Sequence, residues 1–279
     1  MAADLYTQAK ALFPYLPEEL VRLYAESWAS TGDTGLALMA VRSNRAVYDR
    51  YFPGNLRQDG TIRLGEMDYL STVEGYKRRV ASFGVPADLV LGPDRLKALI
   101  EGDVSPNEFG DKLNALYVGV ITQSNFIREA YARDYGAGGL SDAAIFASAL
   151  LNDGKTSPIE LERRIRSAQV GGEAASYGFS LAKAEAERLS SFGLDQQASR
   201  KLFAQAATDL PNLNELLGRF NDPNDPLTAA DYADAFVVQD PNKLSVLTRL
   251  LGRQAASFAT VQGQFATDQS GAVTGIKAR

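Results

Sequence analysis

Residues 17–30 read Pro17-Glu18-Glu19-Leu20-Val21-Arg22-Leu23-Tyr24-Ala25-Glu26-Ser27-Trp28-Ala29-Ser30. Leu20, Leu23, Tyr24 and Trp28 recur at the i, i+3, i+4, i+8 spacing that lines one face of an α-helix, and Pro17 suits a first helical turn. The same period continues along the chain. It predicts helices at 34–51, 66–83, 93–101, 106–117 and 126–134, then at 142–151, 158–169, 181–192, 196–208, 213–220, 229–238 and 243–258. Gly32, Gly84, Gly102, Gly136 and Gly193 fall where these helices should stop, since glycine enters a left-handed cap without steric cost.

Helix starts are marked as well. Ser105-Pro106-Asn107-Glu108 and Ser157-Pro158-Ile159-Glu160 both offer a capping hydroxyl, Pro at the first helical position and Glu two positions later, and Thr228-Ala229-Ala230-Asp231 is a looser version. Residues 94–113 and 142–165 therefore read as helix-turn-helix hairpins, with Glu101-Gly102-Asp103 and Asn152-Asp153-Gly154 in their turns. One segment breaks the helical rule. Phe52-Pro53-Gly54-Asn55 has Pro and Gly where a type II turn wants them, and Asp59-Gly60 lies between Leu56-Arg57-Gln58 and Thr61-Ile62-Arg63 as a two-residue hairpin signal. A small β-hairpin or ordered loop is expected at 56–63. Asn221-Asp222-Pro223-Asn224-Asp225-Pro226 reads as a loop. The fold class is all-α, a multi-helix bundle of helical hairpins, divided into an N-terminal subdomain 1–136, a C-terminal subdomain 137–261 and an extended tail 262–279.

Composition narrows the function. With 45% hydrophobic and 23% charged residues among 279, the chain is an ordinary globular sequence. The 29 basic residues against 34 acidic ones give a net charge of −5, so general nucleic-acid binding is not expected. Lys77-Arg78-Arg79 and the trio Arg163, Arg164 and Arg166 are local basic runs, but neighbouring residues fan out around a helix axis and read first as solvated faces. Cysteine and histidine are both absent. That excludes disulfides, thiol catalysis, thiolate-ligated zinc, the ordinary Ser-His-Asp triad and imidazole-ligated metals. The N-terminus lacks the positive and apolar regions of a secretory signal, and no stretch approaches the ~20 apolar residues of a membrane span. The expected route is synthesis in the cytosol without export by a signal peptide.

Candidate chemistry is sparse. Neither Glu101-Gly102-Asp103 with Glu108 nor Asn152-Asp153-Gly154 with Glu160 supplies the ligands of a calcium loop. Asp222, Asp225, Asp231 and Asp234 form the densest carboxylate group, and a lytic glycoside hydrolase is kept as an outside reading on that basis. Gly171-Gly172 lacks both phosphate-loop spacings and reads as close helix packing, together with Ala174, Ala175 and Gly178. Tyr48, Tyr51, Phe52, Tyr69 and Tyr76 fall mainly at helical spacings and read as core.

Several stretches together resemble helical proteins encoded in the structural-gene regions of tailed bacteriophages. They are Leu16-Pro17-Glu18-Glu19-Leu20, Tyr51-Phe52-Pro53-Gly54-Asn55 with Arg57, Asp59-Gly60 and Arg63, Ile100-Glu101-Gly102-Asp103-Val104-Ser105, Gly171-Gly172-Glu173-Ala174-Ala175, Phe220-Asn221-Asp222-Pro223 and Gly271-Ala272-Val273-Thr274-Gly275. The resemblance implies a virion component: a tail or tape-measure-associated protein, or an internal head or ejection protein. Its partners would be other virion proteins or copies of itself. The expected function is thus non-enzymatic assembly with no cofactor, and a cytosolic helical adaptor is the alternative. The expected contact residues are Arg57 and Arg63 on the hairpin and Phe265, Val273 and Ile276 in the tail. Val273-Thr274-Gly275-Ile276 has the extended character of a segment that orders against a partner.

Overall fold

The computed structural model describes residues 2–148, 157–219 and 226–253. The tail contacts Phe265, Val273 and Ile276, the Asn152-Asp153-Gly154 turn and the 221–225 loop lie outside the described residues. Helices make up most of the described chain: α1 (Ala2–Leu12), α2 (Glu18–Thr31), α3 (Thr34–Ser43), α4 (Arg45–Tyr51), α5 (Glu66–Ala81), α6 (Ala87–Val90), α7 (Pro93–Glu101) and α8 (Pro106–Leu116) come first. A π-helical turn, Tyr117–Ile121, follows α8. Then come α9 (Asn125–Tyr135), α10 (Asp142–Ser148), α11 (Pro158–Ser176), α12 (Lys183–Ser191), α13 (Gln196–Arg219), α14 (Ala229–Ala233) and a second π-helical turn, Asp234–Val238. Residues 241–253 are helical. The fold is all-α. Among the described residues the only strand-like pairing is a single antiparallel bridge between Leu56 and Ile62.

The described residues form two compact units, one within Met1–Gln123 and Tyr135–Glu162 and the other within Ser124–Asp134 and Arg163–Arg279. The division expected at 136 thus sits beside a pair of segments that each belong with the other half of the chain.

In the first unit α2 packs against α1 and α3, and α5 packs against α8 and α6. The buried side of α2 is Leu20, Val21, Tyr24 and Ala25, with the Trp28 ring 5.9 Å from that of Tyr24 and tilted to it by 55°. The helix expected at 34–51 is two. Asn44 (ψ 73°) breaks it, and its backbone carbonyl starts α4 by accepting from Val47 and Tyr48. Helix α8 lies along α5, so its packing partner is not the preceding α7 of the expected 94–113 hairpin. Tyr76 of α5 explains part of this. Its ring meets Phe109 of α8 at 5.4 Å, and its hydroxyl donates to the Val104 carbonyl just before α8 begins. Burial pushes the Tyr76 phenol up to about 12.

Two end signals differ from expectation. Gly102 is right-handed (φ −81°), and the left-handed residue is Asp103 (φ +52°), because the α7 cap closes one residue later, through Val104 N–H to the Leu99 carbonyl at 3.1 Å. At Ser105 only half of the box forms: its hydroxyl accepts from Glu108 N–H at 3.1 Å, while the Glu108 carboxylate pairs with Lys112 at 3.0 Å. The looser Thr228 version closes both ways, with Asp231 N–H on Thr228 Oγ1 and Thr228 N–H on Asp231 Oδ2.

The second unit has a core of Val170, Leu189, Phe203, Leu210, Leu213, Leu217, Tyr232, Leu247 and Leu250, each side chain contributing about 1.5–3 kcal/mol by leaving water. Helix α11 runs on to Ser176, seven residues past the expected end, with Gly171 and Gly172 inside it. A Cβ at Gly172 would stand 2.5 Å from Ile127 Cα, so the glycine is what lets α9 and α11 touch backbone to backbone. Helix α13 also runs unbroken where two helices were expected, because its apolar stripe of Phe203, Ala206, Leu210, Leu213 and Leu217 stays in register through Pro211.

Candidate functional site

The 52–65 segment is held from beneath by a buried polar network. Asn55, fully buried, donates from Nδ2 to the Tyr48 hydroxyl at 3.1 Å and to the Leu64 carbonyl at 2.9 Å, while its Oδ1 accepts from Leu64 N–H at 2.9 Å. Its carbonyl also accepts from Arg63 N–H at 2.8 Å. Tyr48 in turn donates to Glu66 Oε1 at 3.0 Å, and Arg42 grips the same carboxylate with Nε at 2.9 Å and a terminal nitrogen at 3.0 Å. Every side-chain polar atom of Asn55 is matched, which is what makes a buried amide tolerable.

Electrostatics keeps this network in one state. Burial alone would raise the Glu66 carboxyl, but the Arg42 hydrogen bonds, its own backbone amide and the Tyr48 hydroxyl hold it below the usual carboxylate range. Burial, then the Glu66 charge, pushes the Tyr48 phenol far up, so the phenol stays a donor. Glu66 is also the first residue of α5, where the helix dipole favours negative charge.

Above the network the chain makes two turns. Phe52-Pro53-Gly54-Asn55 closes as a turn, with Asn55 N–H on the Phe52 carbonyl at 3.1 Å and Gly54 at φ +79°. A Cβ at Gly54 would come 2.7 Å from the Lys97 carbonyl oxygen, so this turn rests directly on the α7 backbone. The hairpin loop is longer than the two residues expected. Arg57 N–H meets the Thr61 carbonyl at 2.8 Å and Gly60 N–H meets the Arg57 carbonyl at 3.1 Å, so the loop is Gln58-Asp59-Gly60 with Gly60 at φ +85°. A three-residue loop ending on a left-handed glycine matches the strand twist as well as the two-residue kind does. Asp59 Oδ1 braces it by accepting from Thr61 N–H at 2.9 Å and Oγ1 at 2.7 Å, and Arg45 donates to the Arg57 and Gln58 carbonyls at 3.0 and 3.2 Å.

The two arginines expected to make contacts occupy different settings. Arg57 is exposed, with one long bond to the Ile62 carbonyl at 3.4 Å. Arg63 is mostly covered, 21% exposed, and faces Asp103 at 3.6 Å, with its buried Nε lacking an acceptor among the described residues. Both line a groove of about 530 Å³ between the hairpin and α7, with Lys97, Asp94 and Glu101. Charges of both signs at such a groove suit a protein surface better than a polyanion or a single small charged substrate.

The two described members of the Asp222–Asp234 carboxylate group are each paired with a cation. Asp231 pairs with Lys243 at 2.5 Å and Asp234 with Arg188 at 2.6 Å. Among the described residues no group of three or more carboxylates could hold a metal ion, and no helix is long and apolar enough to cross a membrane. Sequence reading missed the Arg42–Tyr48–Asn55–Glu66 network. Its only signal was Asn55 after a Pro-Gly turn, which says nothing of the partners. No family model, curated protein or solved structure matches the chain.

Proposed function

We propose that this chain is a non-enzymatic structural or assembly protein, a tail-associated or internal head component of a tailed-bacteriophage virion. In this reading it contacts another virion protein or a second copy through the hairpin at 56–63. The observation that carries the contact is the contrast within one short segment: Phe52, Gly54, Asn55 and Leu56 are buried, whereas residues 57–61 are all exposed on that fixed base. A loop ordered by its own framework loses little conformational entropy on docking, so its affinity is not spent on ordering. The virion setting comes from the pattern resemblance of the sequence.

The test uses Arg57→Glu, which changes the exposed tip and none of the buried hydrogen bonds. The variant should melt with the wild type and enter particles markedly less. Incorporation at the wild-type level would remove the hairpin from the contact.

A further inference from the structure

A second groove, of about 490 Å³, opens between α5 and the start of α8. Its α5 side is Ser71, Thr72, Gly75, Arg78, Arg79 and Ser82, one helical face repeating every three to four residues, and its other wall is Pro106 and Asn107. The run Lys77-Arg78-Arg79 is therefore not evenly fanned: two of its three cations share this face. None of the lining residues is acidic, in a chain whose net charge is −5.

The groove is shaped by glycine. A Cβ at Gly75 would stand 2.9 Å from Pro106 Cγ, and one at Gly110 would stand 2.9 Å from Arg79 Cδ. Glycine at each place, in the interior of a helix where it costs about 1 kcal/mol against alanine, lets Arg79 lie flat on α8 and leaves the floor open. Arg79 is held by a neutral group, its terminal nitrogen donating to Asn107 Oδ1 at 2.5 Å. Arg78 is exposed and has no hydrogen bond or ion pair among the described residues.

The hydroxyls add an independent sign. Helical serines and threonines usually fold back onto a carbonyl three or four residues earlier, as Ser30, Thr31, Ser43, Ser190 and Thr208 do here. Ser71 and Thr72 do not, and neither hydroxyl has a partner among the described residues. Two guanidinium groups with no carboxylate to neutralise them and two uncommitted hydroxyl donors face one concavity. That donor set matches the acceptor-only oxygens of a phosphate group.

We propose that this groove binds a phosphate group, Arg78 and Arg79 pairing with its charge and Ser71 and Thr72 donating to its oxygens. The phosphate could belong to a small phosphate monoester or to a nucleic-acid backbone, and the two are separated by the probe. Backbone amide NMR of the full chain, titrated at constant ionic strength with inorganic phosphate and separately with a short single-stranded oligonucleotide, reads both. The expected result is saturable shifts confined to residues 71–82 and 105–110 with at least one probe. Arg78→Gln should weaken that binding by about tenfold or more, the worth of one charge-assisted hydrogen bond, without altering the melting temperature. Thr72→Val should weaken it by a smaller factor. Response to inorganic phosphate assigns a phosphate ester, and response to the oligonucleotide alone assigns the nucleic-acid backbone. No saturable shift with either probe, or equal binding by Arg78→Gln, would overturn the site.

Discussion

Asn55 donates one amide hydrogen to the Tyr48 hydroxyl and the other to the Leu64 carbonyl, so a single buried side chain joins α4 to both ends of the projecting segment. Replacing it by alanine leaves the half-buried Leu64 N–H and carbonyl without their partner and removes the donor to the buried Tyr48 hydroxyl. Asn55→Ala should destabilise the protein by about 2 kcal/mol or more, since each buried orphan costs ~1–3 kcal/mol. Hydrogen exchange should locate the loss: the Arg57, Arg63 and Leu64 amides should exchange faster while those of α2 keep their order of protection. Uniform loss everywhere would mean that Asn55 supports the whole unit rather than the loop.

Glu66 gives the acid limb of stability. Its folded value lies below the unfolded one of ~4.3, so its contribution is complete above that value and is lost as the pH falls through the lower folded value. Glu66→Gln should therefore cost stability at neutral pH, and the gap between variant and wild-type urea midpoints should narrow below pH ~4. Tyr76 acts at the other end. Its folded value of about 12 stands above the unfolded ~10, so the stability it confers is intact below pH 10 and falls as the pH rises through 12. Tyr76→Phe should flatten that alkaline loss. A pH-independent difference for Glu66→Gln would show that packing, not charge, is what the site contributes.

Two helical glycines should respond with opposite sign. At Gly172 an added methyl meets Ile127 Cα at 2.5 Å, so Gly172→Ala should destabilise by about 1–3 kcal/mol through overpacking. At Gly218 of α13 nothing lies within 4 Å, so Gly218→Ala should stabilise by about 0.5–1 kcal/mol. Thermal melts of both variants check the pair, and loss of stability at Gly218 would contradict the open setting described.

The two hairpin arginines should also part company. Arg63→Glu replaces the cation that faces Asp103 at 3.6 Å with a second negative charge on a mostly covered side chain and should cost about 1–2 kcal/mol, limited by the exposure of Asp103. Arg57→Glu should leave the urea midpoint within about 0.5 kcal/mol of the wild type, as surface changes usually do. An equal cost for both would show that Arg57 also serves the fold.

Much of the fold was legible because helical period and caps are local signals. Leu20 and Tyr24, Pro93 and Pro106, and the hydroxyls of Ser105 and Thr228 all stand where their spacing implied. What escaped depends on tertiary partners. Helix α1 and the short α6 were unmarked, and α13 ignores Pro211 because burial of Leu210, Leu213 and Leu217 outweighs one lost backbone hydrogen bond. The turns at Gly54 and Gly60 were readable from Pro-Gly and Asp-Gly, yet the pinning of Asn55 by Tyr48 and Leu64 was not. Arg57 and Arg63 looked equivalent in sequence, and only Asp103, forty residues on, distinguishes them. The hydroxyl face of α5 was hidden in the same way, since three consecutive cations reveal nothing about which of them face α8.

The assembly role is tested most directly by a mass-resolved protein inventory of particles purified from the bacterial culture in which this chain is made. The chain should be found in the particles at a fixed ratio to the major capsid protein and remain after a high-salt wash. Abundance in the lysate with absence from washed particles would contradict the proposed function.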